Sequence, residues 1–236
     1  MKDSWAKQKL DLDLNRKTCK IYIFRHGQTI YNKKHIFSGW KDSKLTSQGK
    51  RDANKIAQKL KGKKFEVAFK THLSRSVDTL KPVLKYHPEC KLIIKDDRML
   101  ERNYGDIEGR THQAYIHEEG LDSYKTLLHW HKIDHLSGKD KAKFIKKVGT
   151  AEFDTIHRSY TIPPPGGESI RDVEKRVIPF VKDLIKFMKK NKVNVAISAH
   201  GNSMRPFRRY FERLSVKQMM ELENPYDKYF EYTIKC

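Results

Sequence analysis

Two hydrophobic patterns alternate along the chain. The first is a set of short, continuous apolar runs bounded by polar or turn residues. Ile21-Tyr22-Ile23-Phe24 is β-branched and aromatic, which predicts a buried strand over Cys19–Phe24. Phe65–Phe69, Leu92–Ile94 and Val193–Ser198 read the same way, and Tyr229–Ile234 reads as an edge strand. The second pattern repeats every three or four residues. Ala53, Ile56, Ala57 and Leu60 lie on one face of a helix that opens at Thr46 and ends at Lys61-Gly62-Lys63. A further helix follows Ser74-Arg75 and runs to about Leu84. Ser169, with Asp172 three residues on, caps a long helix whose apolar face is Val173, Val177, Phe180, Val181, Leu184 and Met188; Pro179 is expected to kink it. Another helix follows His200-Gly201 through Arg213, and Ser215-x-x-Gln218 is a capping box for a short last one.

Strands alternating with helices predict an α/β fold: a doubly wound, mostly parallel sheet flanked by helices on both faces. A single domain over 19–236 is expected, preceded by a polar N-terminal tail or short packed helix at 1–18. The pattern breaks down from Asn103 to about Pro165, where helix is expected only near Leu121–His131 and Lys141–Val148. Residues 106–168 therefore read as a helical and irregular cap inserted over the carboxyl ends of the strands.

Charge narrows the classes of partner. Lysine and arginine number 50 against 29 acidic residues, a formal charge of +21, and they are spread over most polar faces rather than gathered in one block. Such a surface draws in small polyanions. A non-catalytic polyanion or nucleic-acid binder is an alternative, disfavoured by the chemistry below. No apolar run approaches the roughly 18 residues of a membrane span, and residues 1–18 lack an apolar signal core, so a cytoplasmic protein is expected. Cys19, Cys90 and Cys236 are scattered, which predicts neither a disulfide framework nor a zinc site.

The chemistry gathers at strand ends. The first strand stops at Arg25-His26-Gly27-Gln28-Thr29, and the last parallel one at Ala199-His200-Gly201-Asn202. Ligands of open α/β sheets bind beyond such ends. Arg25 offers a planar fork to an oxyanion, His26 is a nucleophile that can be neutral, and Gly27 permits close backbone approach. Thr29 and Asn32 sit where a helix begins, a position that attracts anions. Arg75 follows the second strand and Glu101 the third. Two histidines, two arginines and a glutamate at one sheet edge suit phosphoryl transfer.

These residues resemble the histidine phosphatase superfamily, and within it the 2,3-bisphosphoglycerate-dependent phosphoglycerate mutases. The matching pieces are Arg25-His26-Gly27-Gln28-Thr29 with Asn32, Phe37-Ser38-Gly39-Trp40, Leu73-Ser74-Arg75-Ser76, Glu101-Arg102-Asn103-Tyr104-Gly105, Arg158-Ser159-Tyr160, Gly166-Gly167-Glu168-Ser169 and His200-Gly201-Asn202-Ser203-Met204-Arg205. The resemblance implies that His26 carries a phosphohistidine and that Arg25, Asn32, Arg75 and His200 surround the phosphoryl group. It implies Glu101 as proton donor and acceptor. Thr29, Ser38 and Gly39 would touch phosphate or carboxylate, Tyr104, His112 and Arg158 would hold the rest of the substrate, and Asn202 would cradle phosphate through its backbone amide. It also implies interconversion of 3- and 2-phosphoglycerate in glycolysis and gluconeogenesis, with 2,3-bisphosphoglycerate as primer and no metal. A homo-oligomer is compatible with it. His112 stands where the family has lysine, His157 where it has arginine, and the stretch between them is long. The alternative enzyme is a phosphohistidine-dependent phosphatase of the same superfamily acting on a small phosphate ester.

Overall fold

The computed structural model describes residues 4–12, 15–130 and 132–236. Its regular elements are β1 (Thr18–Arg25), α1 (Ile30–Lys33), α2 (Ser47–Leu60), β2 (Val67–Lys70), α3 (Ser74–Leu84), β3 (Leu92–Lys95), α4 (His112–His129), α5 (Gly138–Arg158), α6 (Ile170–Asn191), β4 (Val195–Ala199), α7 (Gly201–Glu212), α8 (Val216–Glu221) and β5 (Tyr229–Lys235). The strands form one sheet in the order β3-β2-β4-β1-β5, and β5 alone is antiparallel to its neighbour.

Side-chain alternation along the strands divides the core in two. Ile21, Ile23, Val67, Phe69, Val195 and Ile197 pack with Val173, Val177, Phe180 and Leu184 of α6 and with Phe207 of α7. Tyr22, Phe24, Ala68 and Ala196 pack on the other face with Ile56, Ala57 and Leu60 of α2 and Leu80 and Val83 of α3. The central strands are buried on both sides, which is why they read as unbroken apolar runs. Ser169 caps α6 as expected, accepting a hydrogen bond from Asp172 N. The helix runs uninterrupted through Pro179.

The structure decides one expectation, in favour of a short packed helix within 1–18, and corrects two. Residues 4–7 form a short 3-10 helix that packs on the domain, with Trp5 buried against Phe69, Phe180 and Phe187. The Trp5 indole N–H donates to Asp96 Oδ2 at 3.1 Å. Isolated among polar residues, Trp5 carries no periodic signal. The first correction is that Cys19 and Cys236 are joined as a disulfide, 217 residues apart in sequence. Antiparallel pairing of β5 with β1 puts Ile234 opposite Cys19, so the start of β1 meets the end of β5.

The second correction is that the cap contains two long helices, α4 and α5, where two short ones were expected; His131, the expected end of the first helix, lies outside the described residues. Few of their positions are buried, so the apolar stripe is narrow. They cross at glycines: a Cβ on Gly120 would strike Ile145 O, and one on Gly149 would strike Ile116 O. Tyr124, Ile133 and Ile145 form a small core of their own.

Candidate active site

Sheet register places the two histidines. Arg25 at the end of β1 pairs with Ala199 at the end of β4, and His26 N donates to Ala199 O at 3.0 Å. The next residue of each chain segment therefore stands beside the other. The His26 and His200 rings lie 5.0 Å apart between centroids, tilted by 58°. Gly27 is required by the close approach of α2, since a Cβ there would collide with Gly49 O.

Both rings are buried, and their partners fix their tautomers. His26 Nδ1 lies 2.8 Å from Gly27 O. A carbonyl only accepts, so Nδ1 carries the proton and the Nε2 lone pair is left for attack. Burial, reinforced by Arg75 and Arg25, holds the His26 pKa well below 6.5. His200 Nδ1 accepts from Arg75 Nε at 3.3 Å, which leaves its Nε2–H to face Thr71 Oγ1 at 2.9 Å. Burial, then Arg75 and His26, likewise hold His200 well below 6.5.

Arg75 is 1% exposed and is gripped from both ends of its fork. Its Nη1 donates to Lys41 O at 2.9 Å and its Nη2 to Gly39 O at 2.7 Å. Its positive charge is therefore held in place before any ligand arrives. The Arg25 guanidinium lies 4.2 Å from the Tyr226 ring centre and donates to Asn224 O. Arg25 Nε and Ser38 Oγ are buried without a hydrogen-bond partner among the described residues. Each such group costs about 1–3 kcal/mol unless a ligand or water pairs with it.

Glu101 completes the group. Its Oε1 accepts from Arg102 N at 2.8 Å and from Asn202 N at 3.0 Å. One ring nitrogen from each histidine and one Glu101 oxygen all lie within 4.8 Å of one another. These donor types would also suit a divalent cation. The positive field of Arg75 and Arg25 acting on His26 opposes one and favours an anion. Glu101 itself is positioned from behind: Arg176 Nη2 donates to its carbonyl and to Glu168, whose carboxylate also accepts from Asn103 N. Glu168 of the Gly-Gly-Glu-Ser stretch thus braces the Glu101 segment.

A cavity of about 580 Å³ opens over this group. Of the expected site residues, Arg25, Asn32, Ser38, Gly39, Glu101, Tyr104, His112 and Asn202 line it. His26 and Arg75 adjoin the lining, the first through Tyr226 and the second through Gly39. Two roles change. Thr29 is fully buried and does not line the cavity; it caps α1, and its hydroxyl donates to Asn32 Oδ1. It thereby sets the Asn32 side chain rather than touching a ligand. The Asn202 amide, expected to cradle phosphate, instead donates to Glu101, a charged acceptor already in place. The side chain of Arg158, at the end of α5, lies outside the described residues. Sequence reasoning gave no role to Arg205, Asn224, Tyr226 or His35, all of which line the cavity. Arg205 follows Asn202 by three residues on α7, which is the signal that could have found it. The loop carrying Asn224 and Tyr226 has no periodicity to reveal it.

A model of the histidine phosphatase superfamily, branch 1, matches residues 21–151 and 134–234. The chain is 33% identical over 217 residues to a 2,3-bisphosphoglycerate-dependent phosphoglycerate mutase of Chlamydia caviae, covering 90% of this chain and 92% of that one. Among solved structures it resembles a mycobacterial glucosyl-3-phosphoglycerate phosphatase, with a TM-score of 0.66 at 22% identity, over 92% of this chain and 90% of that one. It also resembles a phosphoglycerate mutase of Bacillus anthracis, with a TM-score of 0.63 at 19% identity, over 93% and 89%. At those identities the two structures speak to the fold alone.

Proposed function

The chain belongs to the histidine phosphatase superfamily, and from that membership we propose that it is a phosphoglycerate mutase working through a phosphohistidine at His26. The observation that carries the chemistry is the neutral His26 ring, its Nε2 left free by the Nδ1 contact with Gly27 O, set beside a fixed Arg75 and grouped with Glu101 and His200. In the cycle, phosphorylated His26 gives its phosphoryl group to the C2 hydroxyl of 3-phosphoglycerate. The N–P bond breaks, an O–P bond forms, and Glu101 takes the hydroxyl proton. The resulting 2,3-bisphosphoglycerate turns in the cavity. Its C3 phosphoryl returns to His26, Glu101 gives the proton back to the departing oxygen, and 2-phosphoglycerate leaves. Arg25, Arg75 and His200 offset charge on the transferring oxygens. A molecule of 2,3-bisphosphoglycerate would prime His26, and the cap would keep water from the phosphohistidine. Arg158-Ser159-Tyr160 and the identity to curated mutases support isomerisation over hydrolysis.

Hydrolysis is the second reading, favoured by His112 and His157 at positions where the mutase pattern has lysine and arginine. The experiment that separates the two follows 2-phosphoglycerate and inorganic phosphate from 3-phosphoglycerate, with and without catalytic 2,3-bisphosphoglycerate. Primer-dependent isomer with little phosphate supports the mutase; phosphate without isomer makes the protein a phosphatase. In either case His26→Ala is expected to abolish both turnover and radiolabelling by bisphosphoglycerate, and a labelled variant would overturn the assignment of the nucleophile. Glu101→Gln should still label but turn over about 10²–10⁴-fold more slowly, the range for loss of a general acid–base. Wild-type turnover in that variant would move the proton to another group.

A further inference from the structure

Three imidazoles line one wall of the cavity: His35 from the turn after α1, His112 at the start of α4 and His157 in the last turn of α5. The His112 ring lies 6.0 Å from His35 and 5.9 Å from His157 between centroids. Phe37 sits among them, 4.5 Å from His112 and 6.5 Å from His157. His35 holds a left-handed backbone, φ 51°, which residues other than glycine seldom adopt. Its carbonyl accepts from His112 N at 2.8 Å, so the two backbones are tied together. His157 stacks on Phe153 and on Tyr104. Among the described residues, the other titratable groups on the cavity surface are Arg25, Glu101, Tyr104, Arg205, Glu223 and Tyr226. No step of the cycle above uses the three histidines.

A neutral imidazole offers an anion one N–H, whereas a protonated one offers two together with a charge. Burial and the neighbouring His35 push His112 below 6.5, which leaves that ring neutral near pH 7. An anion placed against the wall reverses the preference, because opposite charge within a few ångströms favours the protonated ring. We propose that His35, His112 and His157 form a proton-coupled subsite for the substrate's second anionic group, its carboxylate or second phosphate, so that the ligand enters together with a proton. The nature of that group rests on the phosphoglycerate reading. Lysine or arginine at these positions would bind the same group with no proton uptake near neutral pH.

The test measures binding of 3-phosphoglycerate, and separately of inorganic phosphate, between pH 6 and 8.5. The wild type is compared with His112→Gln, His157→Gln, the double variant, and His35→Asn, which tolerates the left-handed backbone. Ionisation of the ligand's own phosphate cancels in the ratio of wild-type to variant affinity. For 3-phosphoglycerate that ratio should rise about tenfold from pH 8 to pH 6, toward the one-proton limit of tenfold per pH unit. For inorganic phosphate, which has no second group, it should stay flat. Imidazole NMR of the wild type gives a readout independent of variant folding: the His112 and His157 resonances should titrate at higher pH with 3-phosphoglycerate bound. A pH-independent ratio, or imidazoles that titrate alike with and without ligand, overturns the proposal while leaving the proposed reaction standing. Binding of phosphate without any binding of 3-phosphoglycerate overturns both.

Discussion

His26 and His200 show how burial of a single ring shapes both chemistry and stability. Each is buried and held neutral by desolvation and neighbouring cations. Neutrality is what a nitrogen nucleophile requires, and the depressed pKa extends it to acid pH. The same shift has a thermodynamic consequence. Both native values lie below the ordinary 6.5, so between the two values the unfolded chain binds more protons than the folded one. The stability associated with these rings is complete above about pH 6.5 and is lost as pH falls toward the native values. The slope is up to about 1.4 kcal/mol per pH unit for each ring. Denaturant midpoints should therefore decline from pH 7 to pH 5. A midpoint flat over that interval would mean that neither ring is buried in its neutral form.

At the scale of elements, the site depends on a clamp between two loops, made by Glu108, which does not itself line the cavity. Glu108 Oε1 accepts from Trp40 N at 2.8 Å and Tyr104 N at 3.0 Å, and Oε2 accepts from Lys41 N at 3.1 Å. Lys41 Nζ donates in return to Glu108 O. The clamped loop supplies the two carbonyls that hold Arg75, and Arg75 in turn holds His200. Gly39 is left-handed at φ 48° and lies so close to Glu108 that a Cβ would strike the carboxylate. Glu108→Ala is expected to cut the rate of phosphoryl transfer about 10²-fold, the sensitivity of transfer to small misplacement. It should lower stability by only about 1–3 kcal/mol. Single-turnover labelling of His26 measures the first and denaturant unfolding the second. Unchanged labelling would show that Arg75 keeps its place without the clamp.

At the scale of the whole molecule, the sheet, the N-terminal segment and the chain end are tied into one body. Trp5 fills a pocket among Phe69, Phe180 and Phe187, and Asn191 at the end of α6 hydrogen-bonds Leu10 N and Gln8 O. Trp5→Ala is expected to cost about 3–5 kcal/mol, as for other buried aromatic truncations. Because the pocket lies against the sheet and α6 rather than the cavity, turnover of the folded variant should stay near wild type. Chemical denaturation measures the loss; a change under 1 kcal/mol would mean the segment contributes little beyond covering the surface.

Local order in the sequence was enough to determine the alternation of strands and helices and the caps at Thr46, Ser169 and Ser215, because these depend on near neighbours and on a periodic apolar face. It also marked His26, His200, Arg25, Arg75 and Glu101, since strand ends in a parallel sheet converge wherever the strands pair. Tertiary structure alone decided what depends on contacts between distant segments. The Cys19–Cys236 pair needed the β1–β5 register, and the burial of Trp5 needed α6 and β2 to form its pocket. The length of the cap helices was hidden because their apolar stripes are narrow and their crossing rests on two glycines. Thr29 and the Asn202 amide changed roles because a hydrogen-bond partner nearer than any ligand, Asn32 for one and Glu101 for the other, was supplied by the fold.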